Sequence, residues 1–328
     1  MKLIIQIPCY NEEESLPITI KGIPQTFRGV SVCELLVIDD GSTDRTAEIA
    51  AREGVHHVVQ LKNHKGLAEA FARGMDTALK LGADLIVNID ADNQYDAQDI
   101  QKLIDPILAG EADMVIGDRR IGEIAHFSFF KKVLQRMGSW IVRQISGTQV
   151  PDVTSGFRAF SREAALRLNV ISQFTYTLET VIQAGKKNIA INHVEVATHG
   201  PIRPSRLFSN VPSYLKRSMA TITRIYALYE PLKIFLYVGM LVFGAGFLIS
   251  IRFLVYFVLN RGAGHIQSLI LSAVLMIVGF QIGVIGLLAD IISANRRLIE
   301  ETLYRIKKME LDRSSGTGQR QQEKAKGE

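Results

Sequence analysis

The sequence predicts an α/β domain built on a mostly parallel sheet, followed by an interfacial helix and a two-helix transmembrane hairpin. Three observations carry this prediction. Over roughly the first 200 residues, short β-branched apolar runs alternate with helical patterns, which is the signature of βαβ units. Polar and acidic residues collect immediately after the apolar runs, where an open parallel sheet gathers its loops. Two stretches without formal charge, Ile234 to Ile251 and Ile266 to Ala289, are each long enough to cross a hydrocarbon core of about 30 Å.

Taken in order, strands are expected at Lys2 to Pro8, Glu34 to Ile38, Val55 to Leu61, Leu85 to Ile89 and Asp113 to Gly117. Helices fall between them, at Ser15 to Phe27, Thr43 to Arg52, Gly66 to Leu81 and Asp96 to Leu108. After Arg119 the pattern changes to a basic amphipathic stretch, Phe127 to Ile145, then a loop through Pro151-Asp152 and a strand at Phe157 to Phe160. A last strand, Ile189 to Val196, closes a domain spanning residues 1–206.

Residues 207–230 place Phe208, Val211, Leu215, Met219, Ile222, Tyr226 and Tyr229 on one helical stripe, with Arg217 and Arg224 opposite. That pattern predicts a helix lying in a membrane interface, with Asn210 as N-cap and Pro212 in its first turn. The hairpin occupies 231–292, with spans at about 234–256 and 266–289 joined by the short loop Asn260 to His265. A basic tail follows over 293–328, with order expected to end near 312, where Ser, Gly, Gln, Lys and Glu take over.

Basic residues orient the hairpin. Lys216, Arg217, Arg224 and Lys233 precede the first span, and Arg296, Arg297, Arg305, Lys307 and Lys308 follow the second, against only Arg252 and Arg261 on the hairpin side. The first domain and both termini are therefore predicted cytoplasmic, with Arg252 snorkelling to the headgroups. The N-terminal apolar run stops at Pro8 and is followed by Glu12, Glu13 and Glu14, so it does not read as a signal peptide. Cys9 and Cys33 lack metal-ligand spacing and read as reduced packing residues. The net charge of +5 comes from the membrane flanks, which fit an anionic lipid surface and not nucleic acid.

The strand ends carry the chemistry. The first runs into Pro8-Cys9-Tyr10-Asn11-Glu12, the second into Asp39-Asp40-Gly41-Ser42-Thr43-Asp44, the fourth into Asp90-Ala91-Asp92-Asn93-Gln94 and the fifth into Asp118-Arg119-Arg120. So many carboxylates call for a counter-charge, and an oxygen-preferring cation, Mg²⁺ or Mn²⁺, supplies one. Asp90 and Asp92, one residue apart, can both reach one ion or its water, and the ion would bridge to a diphosphate. Asp39 and Asp40 read either as turn-formers ahead of Gly41 or as acceptors for a ribose or base.

Four segments together resemble the family 2 glycosyltransferases of the GT-A fold: Ile7-Pro8-Cys9-Tyr10-Asn11-Glu12-Glu13, Val37-Ile38-Asp39-Asp40-Gly41-Ser42-Thr43-Asp44, Asp90-Ala91-Asp92 and Thr154-Ser155-Gly156-Phe157-Arg158. They occur in order over about residues 1–210. They are most similar to the dolichol-phosphate-mannose synthase and polyprenyl-phosphate glycosyltransferase branch, including its subgroup with two C-terminal spans. The resemblance implies a Rossmann-like GT-A domain and inverting, metal-dependent transfer of a sugar from a UDP- or GDP-sugar to undecaprenyl or dolichyl phosphate. Carried over by position, it assigns Pro8, Tyr10, Glu12 and Asp40, with Asp39 secondary, to the nucleotide, and Asp90, Asp92 and Gln94 to the metal and diphosphate. Arg203 and Arg206 resemble a loop that closes over the donor phosphates.

A phosphate acceptor is consistent with elementary chemistry. A phosphate monoester, with a second pKa of about 6, is already largely ionised at neutral pH and needs no strong base, only positive charge to hold it. Arg119, Lys131, Lys132 and Arg136 supply that charge, and Asp92 and Arg119 are the candidate catalytic residues. The Gln-x-x-Arg-Trp motif of processive polysaccharide synthases is missing, because Trp140 follows Gly138-Ser139. Two other readings stay open at this point: an anchored transferase acting on a saccharide hydroxyl, with Glu179 as general base, and a non-catalytic membrane scaffold that binds nucleotide sugar. Gly279-x-x-x-Gly283 permits close helix packing and hence homo-oligomers.

Overall fold

A computed structural model describes residues 1–120, 129–172, 175–200, 219–220, 223–224, 229–259 and 266–326, with side chains described outside 129–137 and up to 313. The chain divides into two compact units, Met1–Ile222 with Leu303–Glu328, and Thr223–Thr302.

The first unit is built on a seven-stranded sheet of β1 (Lys2–Cys9), β2 (Val32–Asp39), β3 (His57–Gln60), β4 (Leu85–Asn88), β5 (Met114–Asp118), β6 (Arg158–Ser161) and β7 (Ile191–Glu195), ordered β3-β2-β1-β4-β6-β5-β7. Among the described residues, seven α-helices accompany it: α1 (Leu16–Gly22), α2 (Thr46–Arg52), α3 (Leu67–Lys80), α4 (Ile100–Leu108), α5 (Phe129–Ser146), α6 (Arg162–Arg167) and α7 (Thr177–Lys186). The central strands are largely apolar and buried, as expected of a parallel sheet covered on both faces, with Gln6 and Asn88 as buried polar exceptions; Leu3, Ile5, Ile7, Val37, Val87 and Val115 share one core. Strand β6 alone runs antiparallel to its neighbours, inserted between β4 and β5. That insertion brings the loop before β6 to the carboxyl end of β4.

Helix α1 ends at Gly22, five residues short of the expected Phe27. Ile23 precedes Pro24 and is extended, with ψ of 124°, because a residue before proline is pushed out of the helical region. Helices α6 and α7 were not expected at all. Helix α6 is six residues long; α7 is ten residues long and buried at every position from Thr177 to Ala184, so its polar Glu179, Thr180 and Gln183 lie inside the fold and not on a solvent face.

The second unit holds α8 (Pro231–Val258) and the first part of α9 (Ile266–Lys326), the two long apolar helices of a hairpin. Their close approach rests on glycine. A β-carbon on Gly239 would lie 2.8 Å from the Gly279 carbonyl oxygen, and one on Gly279 would lie 2.5 Å from the Phe243 nitrogen. Ser272 adds a hydrogen bond from its hydroxyl to the Gly246 carbonyl at 2.7 Å. Gly279, expected to serve association between chains, thus packs the hairpin within one chain. Helix α9 continues to Lys326, beyond the expected end of order near 312; Arg, Gln, Glu, Lys and Ala are strong helix formers and outweigh the two glycines there. Of the expected interfacial helix over 207–230, the described residues Met219, Ala220, Thr223, Arg224 and Tyr229 are helical, Glu230 is the non-helical residue before the next helix, and the remainder lies outside the described residues.

Candidate active site

Parallel pairing in register, with Pro8 opposite Ile38 and Cys9 opposite Asp39, sets the polar segments after β1 and β2 side by side. Asn11, at φ 53°, turns the chain sharply; its backbone N–H donates to Ser42 Oγ at 2.9 Å, and its Oδ1 accepts from the Thr43 N–H at 2.8 Å. Glu12 is buried, accepting from Ser15 Oγ at 2.6 Å. Asp39 accepts from the Ser42 N–H at 3.0 Å, which is the turn-forming role.

Asp40 is 2% exposed and does more than form a turn. Its two oxygens accept from the Lys65 and Gly66 N–H groups at 2.8 and 2.7 Å, and Oδ2 meets His64 Nδ1 at 2.8 Å. The His64 ring in turn stacks on Tyr10, with centroids 3.8 Å apart. Gly41, at φ +71°, is required here, since a β-carbon would fall 2.7 Å from the Asn63 backbone. The loop between β3 and α3 therefore packs against the polar ends of β1 and β2, a placement that sequence reasoning missed. Its signal was present: Lys62-Asn63-His64-Lys65-Gly66 is another polar run at the end of a strand.

Asp90 and Asp92 follow β4 and come close enough to interact. Burial, joined by the charge of Asp92, pushes the Asp90 carboxyl up to about 7, with Arg119 and Arg158 opposing the shift. Asp92 Oδ1 accepts from the Gln94 N–H at 3.2 Å, in a turn where Asn93 takes a φ of 55°. Among the described residues no three acidic, histidine or cysteine side chains converge as a metal cluster. An aspartate whose proton is held by burial and by the charge of a second carboxylate nevertheless fits a hard divalent cation, which takes one or two carboxylates and completes its shell with phosphate and water oxygens.

Arg119, after β5, is the best-fixed cation beside this pair. Its Nε and Nη2 donate to both oxygens of Asp152 at 2.6 and 3.1 Å, and Nη2 also donates to Thr154 Oγ1 at 2.7 Å. The guanidinium lies 6.0 Å over the Tyr95 ring. Asp152, on the loop before β6, holds Arg119 protonated beyond its ordinary range, and Arg119 keeps the Asp152 carboxyl below the usual carboxylate range despite burial. Nη1 of Arg119 meets no acceptor among the described residues. Arg119 also borders a cavity of about 360 Å³ lined by Lys102, Arg120, Glu195 and Thr198. Asp152 carried no sequence signal as a partner of Arg119, because the pair is made by the β6 insertion.

Arg158 is wholly buried. It donates to the carbonyls of Ser155, Thr177 and Val153 at 2.8, 2.9 and 2.8 Å and to Thr180 Oγ1 at 2.6 Å, so it fastens the loop before β6 from behind. Burial lowers its guanidinium to about 10. The side chains of Lys131, Lys132 and Arg136, on α5, and the whole of Arg203 and Arg206 lie outside the described residues. Glu179, the candidate base for a hydroxyl acceptor, is 2% exposed, and its oxygens accept from the Ile171 and Ser172 N–H groups at 3.1 and 2.8 Å. It acts as a loop cap.

Residues 4–168 match the family described as glycosyl transferase family 2, and residues 230–294 match the GtrB C-terminal hairpin. The glycosyltransferase AglJ of Haloferax volcanii is 30% identical over 317 residues, covering 93% of this chain and 97% of that protein. The undecaprenyl-phosphate mannosyltransferase of Micrococcus luteus is 31% identical over 184 residues, or 54% of this chain and 74% of that protein. Among solved structures, glucosyl-3-phosphoglycerate synthase from Mycobacterium tuberculosis, in complex with Mn²⁺, UDP and glucosyl-3-phosphoglycerate, is similar with a TM-score of 0.55 at 22% identity, covering 69% of this chain and 80% of that one. That likeness shows a shared GT-A fold.

Proposed function

This chain belongs to the family 2 glycosyltransferases with a GtrB-type hairpin, and we propose that it transfers a sugar, with inversion, from a UDP- or GDP-sugar to a polyprenyl phosphate at the cytoplasmic membrane face. The observation that carries the reading is Arg119, partly buried near Asp90 and clamped by Asp152, with Nη1 meeting no acceptor among the described residues. A fixed guanidinium edge next to a donor site is what an anionic acceptor requires. The name of the Micrococcus luteus relative, an undecaprenyl-phosphate transferase, supports the same acceptor class.

Tyr10, Glu12, Asp40 and His64 hold the base and ribose, with Pro8 and Asp39 shaping the strand ends beneath them. Asp90 and Asp92, with Gln94 beside them, would hold the divalent cation. When bound, Mg²⁺ or Mn²⁺ offsets the charge that grows on the departing nucleoside diphosphate. Arg119, supplemented by Lys131, Lys132 and Arg136, holds the lipid phosphate, and Arg203 and Arg206 close over the donor phosphates. An oxygen of the ionised lipid phosphate forms the new bond to the anomeric carbon from the face opposite the leaving group. The bond to the nucleoside diphosphate breaks as it forms, and no proton has to be removed from the nucleophile. Glu179, committed to the Ile171 and Ser172 N–H groups, is not placed to serve a hydroxyl acceptor.

Incubating the full-length protein in nanodiscs with labelled UDP- and GDP-sugars, polyprenyl phosphate and Mn²⁺ is expected to move label into a chloroform-soluble product. Label that stays aqueous with every common donor would overturn the proposal.

A further inference from the structure

The loop before β6 presses on Asp90. A β-carbon at Gly156 would fall 2.5 Å from Asp90 Oδ2 and 2.8 Å from Oδ1, so the Asp90 carboxylate occupies the space that a side chain at position 156 would fill, close against the Gly156 backbone. The φ of Gly156 lies outside the left-handed region, so the backbone conformation itself does not demand glycine. What demands it is the close approach.

The Gly156 peptide is held on both sides by buried groups, none of which hydrogen-bonds to Asp90 among the described residues. Its N–H donates to Tyr95 Oη at 2.9 Å. Its carbonyl accepts from Asn88 Nδ2 at 2.8 Å and from Tyr176 Oη at 3.3 Å, while Asn88 Nδ2 also donates to Tyr176 Oη at 2.9 Å. Behind them Gln6 Nε2 donates to Asn88 Oδ1 at 2.9 Å, which carries the chain of bonds across the sheet to β1. The Tyr176 ring is stacked on Phe71 of α3 at 3.8 Å, so its hydroxyl has little freedom. Gln6, Asn88 and Tyr176 are all at 0% exposure, where an unmade hydrogen bond is costly and geometry is sharply defined.

We infer that Asn88 and Tyr176 are positioning residues for the Asp90 carboxylate, acting through the carbonyl of Gly156. The inference rests on the reading that Asp90 binds the divalent cation. Groups that orient metal ligands are worth roughly 10- to 100-fold in metal affinity.

The test measures Mn²⁺ affinity by electron paramagnetic resonance on the full-length protein with UDP, alongside the thermal unfolding midpoint. Tyr176→Phe keeps the stack on Phe71 and deletes only the hydroxyl; Mn²⁺ is expected to bind about tenfold more weakly, at an unfolding midpoint close to the parent's. Gly156→Ala forces the Asp90 carboxylate aside and is expected to cost more. Asp90→Asn is expected to abolish binding. If Asp90→Asn binds Mn²⁺ as the parent does, the metal reading of Asp90 fails and this inference with it. If Asp90→Asn loses the metal while Tyr176→Phe and Gly156→Ala bind it normally, only the positioning role is overturned. Should Tyr176→Phe fail to fold, unchanged Mn²⁺ binding by Gly156→Ala still overturns the inference.

Discussion

Arg119 and Asp152 meet at two points, Nε to Oδ2 at 2.6 Å and Nη2 to Oδ1 at 3.1 Å, with Asp152 only 1% exposed. The pair fixes the orientation of the guanidinium, and the planar fork makes that orientation specific to arginine. A buried charge of this kind survives in the fold because its partner travels with it: Arg119 leaves β5, and Asp152 arrives on the loop that leads into the inserted strand β6.

Arg119→Lys keeps the charge and loses the fork. It is expected to lower kcat/KM for polyprenyl phosphate by about 10²-fold, the scale of removing one preorganised donor, with nucleotide affinity held. Asp152→Asn is expected to have a smaller effect in the same direction. Steady-state kinetics over the lipid phosphate, beside UDP titration, check both.

The raised Asp90 carboxyl links metal binding to pH. Its value of about 7 in the folded protein exceeds the roughly 4 of an unfolded aspartate. In the metal-free protein its stabilising contribution is therefore complete below about pH 4 and is lost as pH rises through 7. Mn²⁺ binds the deprotonated form, so stabilisation by Mn²⁺ is expected to grow from pH 5 to 8. Unfolding midpoints with and without Mn²⁺ across that range should diverge, and Asp90→Asn should remove the divergence.

Asp40→Ala strands the N–H groups of Lys65 and Gly66 and frees His64 from its carboxylate. A loss of about 1–3 kcal/mol in stability is expected for a buried group left unsatisfied, read by chemical denaturation. Nucleotide affinity is expected to fall further than in His64→Ala, which loses the stacked ring and leaves the loop tied.

Arg158→Met removes the donors to three backbone carbonyls in a fully buried position. Destabilisation of about 1–3 kcal/mol for each buried carbonyl left unsatisfied is expected. The urea midpoint should drop accordingly.

The parts of this site that were legible in the sequence are those carried by strand ends. Tyr10, Asp39, Asp40, Asp90, Asp92 and Arg119 each follow an apolar run, and period alone locates such runs. Asp152, His64 and Tyr176 were not read as site residues, because their roles depend on pairing between distant segments. The insertion of β6 between β4 and β5 creates the Arg119–Asp152 pair and the Gly156 contact, and no local pattern announces an antiparallel strand within a parallel sheet. Helix α7 was missed for a related reason: it is a short ten-residue element whose polar Glu179, Thr180 and Gln183 are buried by contacts from distant segments.

The most direct test of the account offers one labelled nucleotide sugar to the protein with polyprenyl phosphate, polyprenol and a soluble saccharide in competition, and identifies the product by mass spectrometry and NMR. The account predicts label only on the lipid phosphate, in a sugar–phosphodiester of inverted anomeric configuration. Label on a polyprenol or saccharide hydroxyl, or retention of configuration, would contradict it.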